Sequence, residues 1–466
     1  MRSTIVTSIA ISSLVAAAAC GSGDDDKCDF AKNTGCDTNE ICERVQDSED
    51  TVCATPIVVT GRVFDLGTNA GVAGAHILGL DANNAAITPV AVTDATGKYE
   101  LAIPVLRTPE GEPTAIPQIT LRADATGYLT FPSGIRPALP VDTSAPADMD
   151  GKLVIASSLT DVGLLPVQID GPAPAIGTIR GKIAANATAT TALVVAEVGG
   201  QGFSAFADRD GAYTIFNVPA GDATISAYAR GYNYERGAAA VVAGKEVEVN
   251  LAVTEEPTAT FSGTVQFVNP EAGQATSVIL VVESTFNAML ARGETPPGLR
   301  APDPGLVPNV TSAFSIAGVP AGRYVVLAGF ENDNMVRDES SIGGTEIVHQ
   351  EIAAGADVTI AASFKVTGSV DLVSPAASGV ETVTGTPTFK WAVDASADRY
   401  DVTVFDSYGN LTWTGTTGRN VTTLVYAGPA LESNSYYQWR VRSVKTTGGE
   451  QTISRSEDLK GVFFVP

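Results

Sequence analysis

The sequence is poor in histidine, in basic side chains and, beyond one short stretch, in cysteine. Among 466 residues there are 2 histidines, and 29 Lys and Arg stand against 52 Asp and Glu, which gives a formal net charge of −23. No run of Lys or Arg occurs. The chain therefore lacks the clustered basic face that binding to nucleic acid or to anionic lipid headgroups requires.

One apolar run stands at the N-terminus, where Ile5 to Ala19 follows Met1-Arg2 and ends in small residues before Cys20. The run is too short to span a bilayer and is typical of a signal peptide. A cysteine directly after small residues resembles the lipobox of bacterial lipoproteins, which implies lipidation of Cys20. The family prefers Leu where this chain has Ala17, and the alternative is an ordinary secretory signal cut near Cys20.

The residues that follow favour an exported, tethered protein. Gly21 to Asp26 is small and acidic, which predicts a flexible tether. Among the lipoproteins that the chain resembles, Gly21 directly after the lipidated cysteine favours the outer membrane. Four further cysteines fall in one short acidic stretch, which predicts two disulfides with three possible pairings, and zinc is the alternative. These cysteines are Cys28, Cys36, Cys42 and Cys53.

Most of the remaining chain is an internal repeat. A glycine-punctuated strand opens each of three blocks, at Val59 to Val63, Ile179 to Ile183 and Phe261 to Val265. A turn of the form Asp-x-x-Gly then precedes an aromatic residue that starts a second apolar strand, as in Asp94 to Tyr99 and Asp208 to Tyr213. Asp at the first and Gly at the fourth position is typical of a type I turn within a β-hairpin.

The blocks also share short sequence motifs in their later strands. Val218 to Gly221 and Val319 to Gly322 both read Val-Pro-Ala-Gly, and the closing strands of the first two blocks reach Gly127-Tyr128 and Gly231-Tyr232. Over roughly residues 57 to 366 these motifs resemble the carboxypeptidase regulatory-like domain. The resemblance implies a transthyretin-like β-sandwich, of a type often grouped with carbohydrate-binding-like folds, and it supplies no catalytic residues.

The third block departs from the pattern. Asn309 to Ser312 stands where the turn should be, with Ser in place of Gly, and a Pro- and Gly-rich insertion runs from Arg292 to Pro308. Such an insertion is either a functional surface loop or a tolerated one, and we favour the second.

The last hundred residues change character, because Trp, Tyr and Pro become frequent. This segment resembles a fibronectin type III domain, which implies a core position for Trp391 and a tyrosine corner formed by Leu431 and Tyr437, with Tyr437 bonded back to the backbone. Cysteine is absent here, which excludes an immunoglobulin-type disulfide.

We therefore predict an all-β fold of tandem β-sandwich modules after a signal peptide and a short Cys-rich segment. The predicted organisation is a lipoprotein signal peptide at 1–19; the lipidated cysteine, tether and Cys-rich segment at 20–55; carboxypeptidase regulatory-like domains at 56–170, 171–256 and, in degenerate form, 257–367; and a fibronectin type III-like domain at 368–466.

Candidate chemistry is sparse. Neither His76 nor His349 has Glu three residues on, as a zinc peptidase requires, and both lie in predicted strands. Asp208 and Asp210 fit the turn better than an EF-hand loop. We predict no catalytic residue, no metal and no cofactor. A stacking platform for sugar is the one candidate ligand site, formed by Tyr228, Tyr232 and Tyr234.

The expected function is that of a non-enzymatic, lipid-anchored envelope or surface protein, with a rod of domains for adhesion, scaffolding or binding. The expected partners are a membrane, through the N-terminal lipid, and a surface protein or polysaccharide, and no nucleic acid. Two alternatives remain open, a carbohydrate-binding protein and an accessory subunit of a secreted hydrolase.

Overall fold

A computed structural model describes residues 28–30, 33–133, 136–144, 146–149, 151–168, 174–184, 192–268, 273–288, 290–303, 307–329, 333–338 and 344–466. Strands dominate these residues, and a 3-10 turn, η1 (Glu283–Thr285), is the one helical element among them. The all-β prediction is confirmed. No helix in this part of the chain has the length and apolar character needed to cross a membrane. The predicted signal peptide and Cys20 lie outside the described residues.

A short disulfide-bonded segment, residues 28–54, precedes the sandwiches, and we call it the cystine segment. It contains a two-stranded antiparallel hairpin, β1 (Ile41–Arg44) and β2 (Thr51–Ala54), in which Cys42 lies opposite Cys53. A segment of this size buries too little apolar surface to fold unaided, so cross-links must hold it.

The first module packs a sheet in the order β10-β11-β3-β12, with β6 also paired to β3, against a sheet in the order β5-β4-β9. Ile57 and Leu101 from the first sheet meet Ile77 and Leu121 from the second in a closed apolar core. Its strands are β3 (Ile57–Asp65), β4 (His76–Leu80), β5 (Ala91–Val92), β6 (Lys98–Ile103), β7 (Leu106–Arg107), β8 (Pro113–Ala115), β9 (Thr120–Asp124), β10 (Ala147–Met149), β11 (Lys152–Ile155) and β12 (Val162–Leu164).

The second module is more compact, with sheets in the order β16-β13-β19 and β15-β14-β17-β18. Its core includes Ile179 and Ile215 from one sheet and Val194 and Ile225 from the other. Its strands are β13 (Ile176–Lys182), β14 (Leu193–Val198), β15 (Gln201–Phe206), β16 (Ala212–Pro219), β17 (Gly221–Tyr228), β18 (Gly237–Val241) and β19 (Glu246–Glu248).

The third module repeats this plan, with sheets in the order β23-β20-β27-β25 and β22-β21-β24-β26. The predicted insertion contributes β22, which pairs with β21. Its strands are β20 (Ala259–Phe267), β21 (Val278–Val282), β22 (Arg300–Ala301), β23 (Ala313–Val319), β24 (Gly322–Ala328), β25 (Met335–Arg337), β26 (Val348–Ile352) and β27 (Val358–Gly368).

The repeated glycine and the repeated aromatic residue are cross-strand partners. Gly61 lies opposite Tyr99, and Gly181 lies opposite Tyr213. A Cβ on Gly181 would lie 1.7 Å from the carbonyl oxygen of Val249, so no larger side chain fits there. The Tyr213 hydroxyl donates a hydrogen bond to that same oxygen at 2.6 Å. The glycine thus leaves room for the Val249 backbone to pass close to the strand, and the tyrosine hydroxyl holds that backbone in place with a hydrogen bond.

The same arrangement of glycine and aromatic residue occurs in full in the first module and in part in the third. The Tyr99 hydroxyl donates to the carbonyl of Thr160 at 2.6 Å, and that carbonyl is also the group that a Cβ on Gly61 would strike. In the third module Gly263 lies opposite Phe314, which keeps the ring but has no hydroxyl. The degenerate copy therefore retains the packing and loses the hydrogen bond.

The fourth module has sheets in the order β28-β30-β33 and β29-β36-β34-β31-β32, with β35 also paired to β34. Trp391 and Trp439 are buried in its core with Phe389. Its strands are β28 (Leu372–Ser374), β29 (Glu381–Thr382), β30 (Thr388–Trp391), β31 (Arg399–Asp406), β32 (Leu411–Gly418), β33 (Thr423–Val425), β34 (Ser435–Lys445), β35 (Gln451–Arg455) and β36 (Val462–Val465).

The shared closing motifs meet at the joints between consecutive modules. The backbone N–H of Gly127 donates to Asn217 Oδ1 at 2.7 Å, and Asn217 Nδ2 donates to the carbonyl of Tyr128 at 2.7 Å. At the next joint the N–H of Gly231 donates to the carbonyl of Gly318 at 2.7 Å. Asn217 and Gly318 hold equivalent places before Val-Pro-Ala-Gly, so the repeat encodes how one module docks on the next.

The modules do not form the expected rod. One apolar cluster joins the outer face of β4, through Leu78 and Leu80, to Leu193 and Val195 of β14 and onward to the third module. The fourth module then returns to the first, where Phe64 packs edge-on against Tyr408 with ring centroids 5.5 Å apart. The four modules therefore close on one another, because strands such as β14 carry apolar side chains on both faces.

Candidate functional site

The cystine segment holds two disulfides, Cys28–Cys42 and Cys36–Cys53, with Cα–Cα distances of 5.6 and 5.4 Å. This confirms the disulfide prediction and selects one of the three pairings. The sulfur atoms of Cys28, Cys36 and Cys53 lie within 4.8 Å of one another. The sulfur atoms lie close together because the two disulfide bridges are adjacent. A disulfide sulfur is not a thiolate, which is the form of cysteine that binds zinc.

A buried ion pair fastens this segment to the first module. Glu43 and Arg107 pair with 2% and 1% of their side chains exposed. The second oxygen of Glu43 accepts the N–H of Val105 at 2.9 Å, and Arg107 donates to the carbonyls of Thr55 at 2.7 Å and Gly111 at 3.0 Å. Burial raises the pKa of Glu43, against the lowering effect of these donors. Because the pair is enclosed and its polar atoms are bonded, the cystine segment is docked firmly.

The turn carboxylates serve the backbone. Asp94 and Asp208 each accept two backbone N–H groups of their own turn, at distances between 2.7 and 3.0 Å. Gly97 and Gly211 take φ of +81° and +75°, as the turn requires. The side chain of Asp210 is exposed. The backbone hydrogen bonds and the positive φ of the turn therefore account for the recurrence of Asp and Gly at these positions in both blocks.

Both histidines have structural surroundings. His76 packs edge-on against Phe216 at 5.0 Å, at the boundary of the first and second modules, and burial lowers its pKa. His349 Nδ1 lies 2.6 Å from Glu283 Oε1 on an exposed strand, and the other oxygen of Glu283 pairs with Arg323. The two histidines are not brought together.

The three tyrosines predicted to stack on sugar differ in their surroundings. Tyr228 is 8% exposed and packs edge-on against Tyr324 of the third module, with centroids 5.9 Å apart. Tyr234 packs on the core of the second module, and Tyr232 is half-buried. Tyr228 therefore has no free ring face for a ligand, because the closing of the modules uses it.

The predicted features of the fourth module are present. Trp391 is 2% exposed in the core. The backbone N–H of Glu432 donates to the Tyr437 hydroxyl at 2.8 Å, which is the bond of a tyrosine corner. Leu431 packs against the same core.

A single arginine joins three modules. Arg122, at 3% exposure, pairs with Asp124 at 2.9 Å in its own strand and with Glu294 of the third module at 2.5 Å. It also donates to the carbonyl and hydroxyl oxygens of Ser204, in the second module, at 3.1 Å each. The Ser204 hydroxyl donates to Glu294 at 3.0 Å. This polar network sets how the first three modules meet.

Beside this network lies a partly open cavity of about 520 Å³, formed between the first, third and fourth modules. The start of the predicted insertion, from Arg292 to Glu294, forms part of its wall, whereas residues 304–306 of that insertion fall outside the described part. Six arginines of the described part of the chain line the cavity: Arg122, Arg136, Arg292, Arg337, Arg440 and Arg455. Sequence reasoning missed this site, since the arginines are scattered singly over more than three hundred residues.

Part of the fourth module matches a known protein family. Residues 376–460 match the family of Rha78A-like, N-terminal immunoglobulin domains. The C-terminal module is therefore immunoglobulin-like over that range. Comparison with curated proteins gives no significant sequence match.

Solved structures share the β-sandwich character at low similarity. A minor pilin of Streptococcus agalactiae is 12% identical, with 43% of this chain and 99% of that chain covered and a TM-score of 0.20. A DUF3823 family protein of Bacteroides uniformis is 14% identical, with coverages of 45% and 100% and a TM-score of 0.20. Two B repeats of the collagen-binding protein of Staphylococcus aureus are 10% identical, with coverages of 86% and 99% and a TM-score of 0.16. Likeness at this level does not extend to function.

Proposed function

We propose that the protein is a lipid-anchored, non-enzymatic binding or scaffold protein of the bacterial outer envelope. The observation that carries the proposal is the cystine segment. Two disulfides form in an oxidising, extracytoplasmic compartment, and they lie directly after the apolar leader and Cys20. The Glu43–Arg107 pair then connects this segment rigidly to the sandwiches.

Lipid on Cys20 would hold the folded body close to the membrane. Each buried CH₂ of an acyl chain contributes about 0.8 kcal/mol, so two or more chains give stable attachment. Only residues 21–27 separate Cys20 from the first disulfide. Fully extended they span about 25 Å, so the modules would stand at the membrane surface.

A binding or scaffold role fits the way in which this chain uses its polar groups. The buried networks at Glu43 and Arg122 join modules, and both histidines are engaged in structural contacts. The first three modules are proposed to be of the carboxypeptidase regulatory-like type and the fourth of the fibronectin type III-like type. Outer-membrane location, favoured by Gly21, is part of the same proposal.

Fractionation of cells that express the full chain tests the anchor. Cys20→Ser should move the protein from the membrane to the soluble extracytoplasmic fraction and abolish incorporation of labelled fatty acid. The double variant Cys36→Ser/Cys53→Ser is the matched control, because it removes thiols from the same region but leaves the lipid acceptor. Retention of the Cys20→Ser protein in the membrane at the wild-type level would refute lipid anchoring.

A further inference from the structure

The cavity between the first, third and fourth modules has the size of a ligand site. Its volume of about 520 Å³ lies within the ~300–1,000 Å³ typical of pockets that enclose small molecules. Arg455 at its edge is exposed, whereas Arg122 and Arg136 are buried, so the cavity runs from an accessible edge to an enclosed interior.

The described lining of the cavity is richer in basic than in acidic side chains, whereas the protein as a whole is acidic. Among the described residues, six arginines and three carboxylates line it, and the carboxylates are Glu294, Glu457 and Asp458. The chain as a whole carries a formal charge of −23. An excess of guanidinium groups in one cavity of an acidic protein concentrates positive potential there, since low-dielectric walls screen the field poorly.

Arg136 supplies an independent sign that a partner belongs in this cavity. Its side chain is 7% exposed, and Nη2 donates to the carbonyls of Gly163 and Tyr408 at 2.8 Å each. Among the described residues, Nε and Nη1 of Arg136 are buried without a hydrogen-bond partner. A buried guanidinium with unsatisfied donors is costly, so an acceptor from outside the chain would stabilise it.

The part of the cavity that the third and fourth modules form brings several arginines close together. Asp458 is shared between two guanidinium groups, that of Arg440 at 2.6 Å and that of Arg292. Burial, followed by repulsion from Arg292 and Arg455, lowers the pKa of Arg440 to about 9, and burial and Arg455 lower that of Arg292 to about 10. Arg292, Arg440 and Arg455 therefore lie close enough to repel one another, and an anion placed among them would relieve that repulsion.

We propose that this cavity binds a small ligand that carries at least one oxyanion group, whether carboxylate, sulfate or phosphate. Guanidinium groups bind such groups through paired N–H donors in a fixed fork, which suits a cavity lined by several arginines. The proposal rests on the binding role given above and names its ligand class. The source of the oxyanion is either a free anion or a charged group on an envelope glycan.

Isothermal titration calorimetry on the full chain tests this inference. Citrate, sulfate and inorganic phosphate are titrated at constant ionic strength, with chloride as the reference anion. Galacturonate and galactose form a matched pair that differs in the carboxylate. We expect at least one oxyanion to bind saturably, and Arg440→Gln and Arg455→Gln each to weaken binding by about tenfold or more. Tighter binding of citrate or phosphate indicates a free anion, and tighter binding of galacturonate indicates a glycan.

Arg180→Gln is the matched control, because Arg180 pairs with Glu246 on an exposed sheet of the second module and does not line the cavity. It should bind as the wild type does. Arg455 is exposed, so its variant is expected to fold normally, which circular dichroism checks. Absence of saturable binding, or equal binding by the wild type and both cavity variants, would overturn the inference. Neither result bears on fractionation of Cys20→Ser, so the two proposals fail separately.

Discussion

Replacement of Arg122 by alanine should loosen the junction of the first three modules. The guanidinium is 3% exposed, and its loss leaves Asp124 and Glu294 without their shared cation. Removal of one partner of a buried ion pair costs about 3–5 kcal/mol. Asp124 retains a hydrogen bond from Thr130 at 2.7 Å, and the Glu294 side chain is already 23% exposed. We therefore expect a loss near the lower limit, about 3 kcal/mol.

Local hydrogen exchange is the suitable assay, since all three tryptophans lie in the fourth module and their fluorescence would miss this junction. The opening free energy of the β9 amides should fall by about 3 kcal/mol in Arg122→Ala. The double variant Arg122→Met/Asp124→Asn removes the cation together with its more buried carboxylate partner and should recover most of the loss, since Glu294 is already partly exposed. The exposed Lys152–Glu100 pair is the control, because Lys152→Ala should cost about 0–1 kcal/mol. Unchanged exchange in Arg122→Ala would refute this account of the junction.

Three further predictions concern the repeat and the third module. Gly181→Ala should destabilise the second module by about 3 kcal/mol or more, because its Cβ would strike the carbonyl of Val249, whereas Gly418→Ala, with open space around it, should be tolerated; thermal unfolding compares them. Tyr213→Phe should cost about 1 kcal/mol by the same measurement, since it leaves that carbonyl unpaired, and an unchanged melting temperature would contradict this role of the hydroxyl. Burial raises the pKa of Asp333 to about 6 from 3.8. The folded state thus binds the proton of Asp333 more tightly than the unfolded state does. Protonation of Asp333 therefore stabilises the fold fully below about pH 4, and this stabilisation is lost as the pH rises through 6. Urea titrations of the wild type across this range should show that loss, and Asp333→Asn should remove it.

Local patterns predicted much of the fold. The Asp-x-x-Gly turns form as expected because carboxylate oxygens reach backbone N–H groups two to four residues on, and glycine alone adopts the positive φ easily. Alternation along Lys98 to Ile103 gives a half-buried strand. The clustered cysteines predicted two disulfides, but their pairing depended on the register of the β1–β2 hairpin.

The closed arrangement of modules was predicted incorrectly as a rod. A signal was present in Leu193 to Ala196 and Val278 to Val282, whose continuous apolar runs indicate strands buried on both faces. Such a run predicts that both faces of the strand are covered, but it does not identify the module that covers the second face. The stacking interpretation of Tyr228 failed for the same reason, since Tyr324 of the next module covers its ring.

The sequence alone determined the class of fold, the three copies of the repeat, the turns and the place of the cysteines, because each depends on residues near one another along the chain. The tertiary structure decided the cavity and its charge. Arg136 and Arg440 are separated by about three hundred residues and share no local pattern, and they face one cavity because the fourth module returns to the first. The residues that flank these arginines in the sequence do not reveal that they meet, since the contacts that set their chemistry come from other modules.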